Sequence, residues 1–276
     1  MKVTVLVENT SERAELGSEH GLSFFIEAGG RKILLDTGQK KLFAENADRL
    51  GCDLSGVDFA VISHNHSDHS GGLPVFRALN PQAPVYMARS AGSRRYVRKY
   101  GIFQINVGLP RAFLKDSGIV WLDGDIHLPG DIHFLTPIVN AKPYLKAGSN
   151  LTMRRGLRFV GDDFTHELVF VAREGEKTLV ISSCSHTGLH NIMGRVAAAG
   201  LLGAETTVLA GMHLFDPIGG KTESPETLDR FAADLLAFPG TTYYAGHCTG
   251  IKAVERLATT MGDRIRPLRC GDVYTL

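Results

Sequence analysis

Apolar residues in this chain fall into short runs, rich in β-branched and aromatic side chains, and most runs close on glycine, serine, aspartate or histidine. Val3–Val7, Leu22–Glu27 and Arg31–Leu35 read as strands, and Gly29-Gly30 joins the last two as a tight hairpin turn. Leu42–Leu50 reads as a short helix. Val57–Ile62 is almost uncharged and reads as a buried strand, and Pro74 is placed to open a helix at its first turn.

The final third is equally regular. His166–Arg173 and Lys177–Ser183 pair as strands around Glu174-Gly175-Glu176, and Thr206–Ala210 and Thr241–Ala245 are strands as well. Leu189–Ala199 reads as a helix with Ile192, Met193, Val196 and Ala197 on one face, closed by Gly200. Ser224-Pro225-Glu226 caps a helix with the stripe Leu228, Phe231, Ala232, Leu235 and Leu236. Thr249 is expected to cap a last helix carrying Ile251, Val254, Ala258 and Met261, ending at Gly262.

Residues 85–165 are less regular. Ala88–Tyr100 carries Arg89, Arg94, Arg95, Arg98 and Lys99, with Tyr96 and Tyr100 one helical turn apart. It reads as a solvated helix face, the alternative being a cationic patch for an anionic substrate. Ala141–Arg158 has little periodicity and reads as a lid or binding loop. No Pro-rich or low-complexity linker divides the chain. One domain of two similar halves over 1–276 is therefore expected, with a lid or substrate-binding insertion at about 88–165.

Composition adds exclusions. With 43% hydrophobic and 21% charged residues and a net charge of +1 over 276 residues, the chain has the make-up of an ordinary globular protein. No global field favours nucleic acid or membrane partners. No signal peptide or membrane-spanning run is expected, and the four cysteines, Cys52, Cys184, Cys248 and Cys270, are too scattered for a disulfide framework. A reducing cytoplasm fits this pattern.

The chemistry concentrates in Ser63-His64-Asn65-His66-Ser67-Asp68-His69-Ser70-Gly71-Gly72, directly after the Val57–Ile62 strand. Neutral imidazoles and a carboxylate are ligands for a Zn²⁺-like cation. Three further histidines share one context, each just beyond a strand and beside glycine: His186 in Cys184-Ser185-His186-Thr187-Gly188, His213 in Gly211-Met212-His213-Leu214, and His247 in Gly246-His247-Cys248-Thr249-Gly250. Carboxyl ends of strands in one sheet collect along one edge, where α/β proteins build their sites. His127, His133 and His190 read as structural or exposed, His166 lacks the strand-end context, and His20 is left undecided between cleft and surface.

The run His64-Asn65-His66-Ser67-Asp68-His69 resembles the HxHxDH signature of the metallo-β-lactamase-fold superfamily, and Leu34-Leu35-Asp36-Thr37-Gly38 and the His186 and His247 motifs extend the likeness over most of the chain. The resemblance implies an α/β fold, a four-layer αβ/βα sandwich. It also implies His64, His66 and His186 at a first metal, and Asp68, His69 and His247 at a second. Val5-Leu6-Val7-Glu8-Asn9, His20-Gly21-Leu22-Ser23 and the two cysteine-bearing histidine motifs further resemble the dihydropterin–ribofuranosylaminobenzene phosphate synthase-like subgroup. Where many two-metal members place a bridging Asp, this chain has His213, with Asp216 three residues on. His66 stands where the di-iron, oxygen-reducing branch is expected to have Glu.

These readings imply one or two Zn²⁺ ions, with Mn²⁺ and Fe²⁺ suited to the same ligands. A cation there lowers the pKa of its water toward 7, and Asp68 can orient that water. Asp68 and His213 are the candidate catalytic residues, and Asp36 is the candidate acceptor that fixes the tautomer of a ligand imidazole. The expected activity is hydrolysis of a small-molecule ester, lactone or phosphodiester, with the basic middle segment favouring a phosphorylated substrate. The alternatives are a synthase that uses the cation as a Lewis acid on a pterin-like substrate, and a non-catalytic metal-binding module.

Overall fold

The computed structural model describes residues 1–109 and 113–276. Two seven-stranded sheets lie face to face. In the first, the strands Lys2–Val7, Ser23–Ala28 and Arg31–Leu35 run antiparallel, then Phe59–Val61, Val85–Ala88 and Ile119–Leu122 add in parallel. The second repeats that order. Ile126–Leu128, Ile132–Leu135, Val169–Glu174 and Lys177–Ser182 are antiparallel, and Glu205–Gly211, Thr241–Gly246 and Ile265–Pro267 follow in parallel. The last strand, Val273–Thr275, returns to the edge of the first sheet beside Lys2–Val7. The two similar halves read from the sequence are therefore present.

Alternation along the strands creates the layers, because successive side chains point to opposite faces. Phe24, Ile26, Ile33, Leu35 and Val61 meet Phe134, Phe170, Leu179, Ile181 and Leu209 between the sheets. Their neighbours Phe25, Leu34, Ala60 and Ile62 face outward, onto Phe43 and Ala47 of the helix Leu42–Arg49 and Phe76 of Leu73–Leu79. On the other side Val169, Val171, Val180 and Val208 pack under the helices Leu189–Ala198, Pro225–Leu236 and Ile251–Met261. The result is the four-layer αβ/βα sandwich. No helix among the described residues is long and apolar enough to cross a membrane.

Some local expectations need correction. Ala88–Tyr100 is not a helix: it is a 3₁₀ turn, Arg89–Gly92, followed by the strand Arg95–Lys99. Its cations do not form one patch, since Arg89 pairs with Asp123 and Arg95 is buried against Asp162. The segment 141–158 is not all loop either, because Leu151–Arg155 is a strand. Together with Phe103–Asn106 and Arg158–Gly161, these strands build a separate four-stranded sheet. Local periodicity could not show that pairing, which joins residues about 55 apart in the chain, Val97 with Leu151. Residues 110–112 of the expected insertion lie outside the described residues.

At the last helix the cap position is Gly250 rather than Thr249, whose hydroxyl donates instead to the Gly246 carbonyl. Ala253, Leu257 and Met261 form its buried stripe, while Ile251 and Ala258 are exposed. Ser224 does cap the preceding helix, accepting from the Thr227 N–H.

Candidate metal centre

The loops beyond the parallel strands of both sheets meet at one edge. Leu168 N–H donates to the Ser63 carbonyl at 2.7 Å and Gly211 N–H to the Ser183 carbonyl at 3.0 Å, so the loops carrying the histidines are tied together by backbone. Four side-chain-bearing residues here, Asp36, Ser185, His213 and His247, have left-handed φ between 46° and 59°. Such strain persists where the surroundings over-determine it, and it clusters at functional sites.

His64, His66 and His186 converge although 122 positions separate the outer two: their donor atoms lie within 4.8 Å of one another, and His64 Nε2 is 3.2 Å from His186 Nε2. Asp68, His69 and His247 form a second set. Asp68 Oδ2 lies 3.5 Å from His69 Nε2 and 3.3 Å from His247 Nε2, and the two Nε2 atoms are 3.2 Å apart. His20 joins this second set, its Nε2 3.3 Å from the same Asp68 oxygen and its ring stacked on His247. Tetrahedral ligands about 2.0–2.1 Å from a zinc ion stand about 3.3–3.4 Å from each other. The three edges of the second set and the His64–His186 edge of the first match that spacing.

The electrostatics differ between the two. Burial first, and then mutual repulsion with the other imidazoles, hold His64 and His186 well below the usual histidine range, and His66 falls to about 3. Those rings keep free lone pairs. Burial also opposes charge on His69, but Asp68 and Asp36 outweigh it and push this histidine up to about 10. Asp68 is held well below the usual carboxylate range: burial works against its charge, and His69, His20 and His247 more than offset that. The second set therefore favours positive charge, as a cation site must.

Surrounding acceptors fix these rings. Asp36 Oδ2 is 2.9 Å from His69 Nδ1, and the same carboxylate accepts from Ser63 N–H and Ser63 Oγ, the latter 2.9 Å from His64 Nδ1. Asp36 thus reaches a histidine of each set. Two buried glutamates hold ligand backbones in equivalent ways. Glu167 accepts from the N–H groups of His186 and Thr187 and from Thr187 Oγ1, while Glu8 accepts from His247 N–H. Asn9 Oδ1 lies 3.0 Å from His247 Nδ1. His166 Nδ1 accepts from Asn65 N–H, between His64 and His66.

His213 approaches His186 with ring centroids 4.4 Å apart, and neither of its ring nitrogens has a hydrogen-bond partner among the described residues. Asp216 is turned elsewhere, accepting from Asn150 Nδ2 and Ile218 N–H. His190 is structural, stacked on Tyr144 and 3.0 Å from the Lys142 carbonyl, and exposed His127 stacks on His133.

Sequence reasoning assigned no site role to Glu8, Asn9, Ser63, His166, Glu167, Cys184 or Cys248. The two cysteines carried a signal, since each lies within two residues of a strand-end histidine. The Cys184 and Cys248 sulfurs are 3.6 Å apart, and Cys184 Sγ is 3.2 Å from His69 Nε2.

Two cavities open onto the cluster. One of about 170 Å³ is bounded by His186, His213, Phe164, Lys142, Gly148, Ser149, Leu151 and residues 161–162. The other, about 730 Å³, is lined by His20, His247, Cys248, Phe215 and Val254, with both acidic (Glu12, Glu255) and basic (Lys252, Arg269) side chains on it.

A model of the metallo-beta-lactamase superfamily matches residues 16–191. An uncharacterized protein of Methanocaldococcus jannaschii is 25% identical over 263 residues, covering 93% of each chain. A 7,8-dihydropterin-6-methyl-4-(beta-D-ribofuranosyl)-aminobenzene-5'-phosphate synthase of the same organism is 24% identical over 291 residues, covering 99% of this chain and 96% of its own. The crystal structure of a metal-dependent hydrolase of the beta-lactamase superfamily superposes with a TM-score of 0.84 at 23% identity, covering 100% of this chain and 99% of its own. Zinc-bound PqqB from Methylobacterium extorquens superposes at 0.59 and 11% identity, with full coverage of both. Both superpositions show the shared fold.

Proposed function

The chain belongs to the metallo-beta-lactamase superfamily, and from that premise we propose that it is a metal-dependent hydrolase of a small-molecule ester, lactone or phosphodiester. The observation that carries this reading is the convergence of His64, His66 and His186 beside Asp68, His69 and His247, at separations suited to divalent cations and next to open cavities. An open site with more than four candidate ligands favours catalysis over a closed structural site.

His64, His66 and His186 would hold one cation, and Asp68, His69 and His247 a second, with Zn²⁺, Mn²⁺ or Fe²⁺ suited to the donors. Cations in such sites supply Lewis acidity and lower the pKa of water. Asp68, ionised and facing three imidazoles, would orient the attacking water. His213, with unpaired ring nitrogens facing the smaller cavity, binds the substrate oxygen or returns a proton to the leaving oxygen. The larger cavity, with a mostly apolar lining, suits a substrate with an apolar body. The segment at about 88–165 acts as a substrate-binding insertion, since its residues wall the smaller cavity.

Elemental analysis of purified protein, together with an esterase, lactonase and phosphodiesterase panel, tests this reading. We expect bound metal and metal-dependent turnover of at least one substrate. Full turnover of that substrate by His64→Ala would refute the mechanism. A second reading, synthase or transferase chemistry on a pterin-like substrate, draws support from the near full-length likeness to the synthase and from two cavities meeting one cluster. Mass spectrometry of a coupled product formed from a dihydropterin and a ribosyl-aminobenzene phosphate, with no hydrolysis in the panel, would favour it.

A further inference from the structure

We infer that Cys184 is itself a cation ligand, its sulfur standing between the two sets of imidazoles and serving as the anionic link between them. This rests on the reading of the cluster as a cation site and adds a sulfur donor to it.

Position comes first. Cys184 Sγ shares a 4.8 Å donor group with His64 and His69, a second with His186 and His213, and a third with His247 and Cys248. Its neighbours therefore come from both ligand sets. Cys184 is buried, 3.2 Å from His69 Nε2, and its backbone is fixed two residues from His186, whose N–H is held by Glu167. Both ring nitrogens of His213, which shares one of these groups with Cys184, lack partners among the described residues. Native interiors leave few such atoms unpaired, and a bound ligand is one explanation for those that remain.

Charge points the same way. The six imidazole and carboxylate donors bring a single negative charge, that of Asp68, against four positive charges if two divalent cations bind. Uncompensated charge is costly in a dry interior. The other buried carboxylates nearby do not face the donor atoms: Asp36 sits on His69 Nδ1, Glu167 and Glu8 hold the backbone N–H groups of His186 and His247, and Asp216 is engaged with Asn150 and Ile218. A Cys184 thiolate supplies the missing charge from the right place. Cys248, its sulfur 3.6 Å from both the Cys184 sulfur and the Cys184 carbonyl, serves as the weak S–H donor behind it. Thiolate also shifts the preference of the centre toward zinc, iron and cobalt, away from magnesium and calcium.

Cobalt(II) titration of the metal-free full-length protein tests this, because cobalt reports its ligands by colour. We expect visible d–d bands, a sulfur-to-cobalt charge-transfer band in the near ultraviolet, and two ions per chain by elemental analysis. The Cys184→Ser variant should lose the charge-transfer band and weaken the binding of at least one ion by about 10–100-fold. Cys184→Asp should restore two-ion binding without the band. Cys248→Ser should keep the band, which decides the matter even if the Cys184 variants fail to fold, since Cys52 and Cys270 belong to no part of the cluster. Visible bands with no sulfur band in the wild type, or a band lost only in Cys248→Ser, would overturn the inference while leaving the cation site intact. Absence of any cobalt binding would remove the underlying reading as well.

Discussion

Asp36 Oδ2 stands 2.9 Å from His69 Nδ1, and both side chains are fully buried. The contact points the opposite ring nitrogen, Nε2, at Asp68, His247 and Cys184, and it comes from a residue held in the left-handed region at φ 59°. Asp36→Ala frees that ring to rotate and leaves Ser63 N–H without its acceptor. The expected result is a 10–100-fold loss of affinity for the second cation, read by chelator competition. Unchanged affinity would show that packing alone orients His69.

Glu167 accepts three hydrogen bonds inside the protein, and burial pushes its pKa up. Glu167→Ala strands those donors in a dry environment at about 1–3 kcal/mol each, not fully additive. We expect a loss of about 3–4 kcal/mol in urea unfolding with an unchanged m-value, and a smaller loss for Glu167→Gln, which keeps an acceptor oxygen. Equal losses in the two variants would show that charge matters here more than the count of acceptors.

The cluster formed by Asp162 with Arg95 and His166 joins the small sheet to the loop bearing His64 and His66. Burial raises the Asp162 pKa, but His166 and Arg95 beside it outweigh that and bring the group to about 2. Because the folded value lies below the unfolded one, near 3.9, the unfolded state binds more protons between them, and stability rises with pH across that window. The contribution, on the order of 2 kcal/mol, is complete above pH 4 and lost as pH falls through about 2. Urea midpoints of metal-free wild type and Asp162→Asn, measured from pH 5 to pH 2.5, should converge as the solution is acidified. Parallel curves would contradict the assignment.

Chelation should abolish turnover and leave the far-ultraviolet circular dichroism spectrum in place, because the three apolar clusters are built from strands and helices away from the ligand atoms. The thermal midpoint should fall, since a cation present at 1,000 times its dissociation constant contributes about 4 kcal/mol. Re-addition of Zn²⁺, Mn²⁺ or Fe²⁺ should restore it. Unfolding on chelation would mean that the metal is structural.

Alternation of two and of three to four along the chain was enough to find most strands and helices, because each is amphipathic toward one layer of a sandwich. Spacing alone marked His64, His66, Asp68 and His69, which a single loop holds together, and repeated strand-end context marked His186, His213 and His247. What only the tertiary structure decided depends on pairings between distant segments. Arg95–Lys99 looked helical until Leu151–Arg155 paired with it, and tertiary context overrides local propensity in this way. Glu8, Glu167 and His166 carry no local sign of what they hold, since a hydrogen bond to a backbone 239, 19 or 101 residues away leaves no period in the sequence. The cysteines read as unpaired thiols until folding set Cys184 beside His69, 115 positions away. Residue type determines which groups can bind a cation, and only the meeting of two sheets determines which of them face each other.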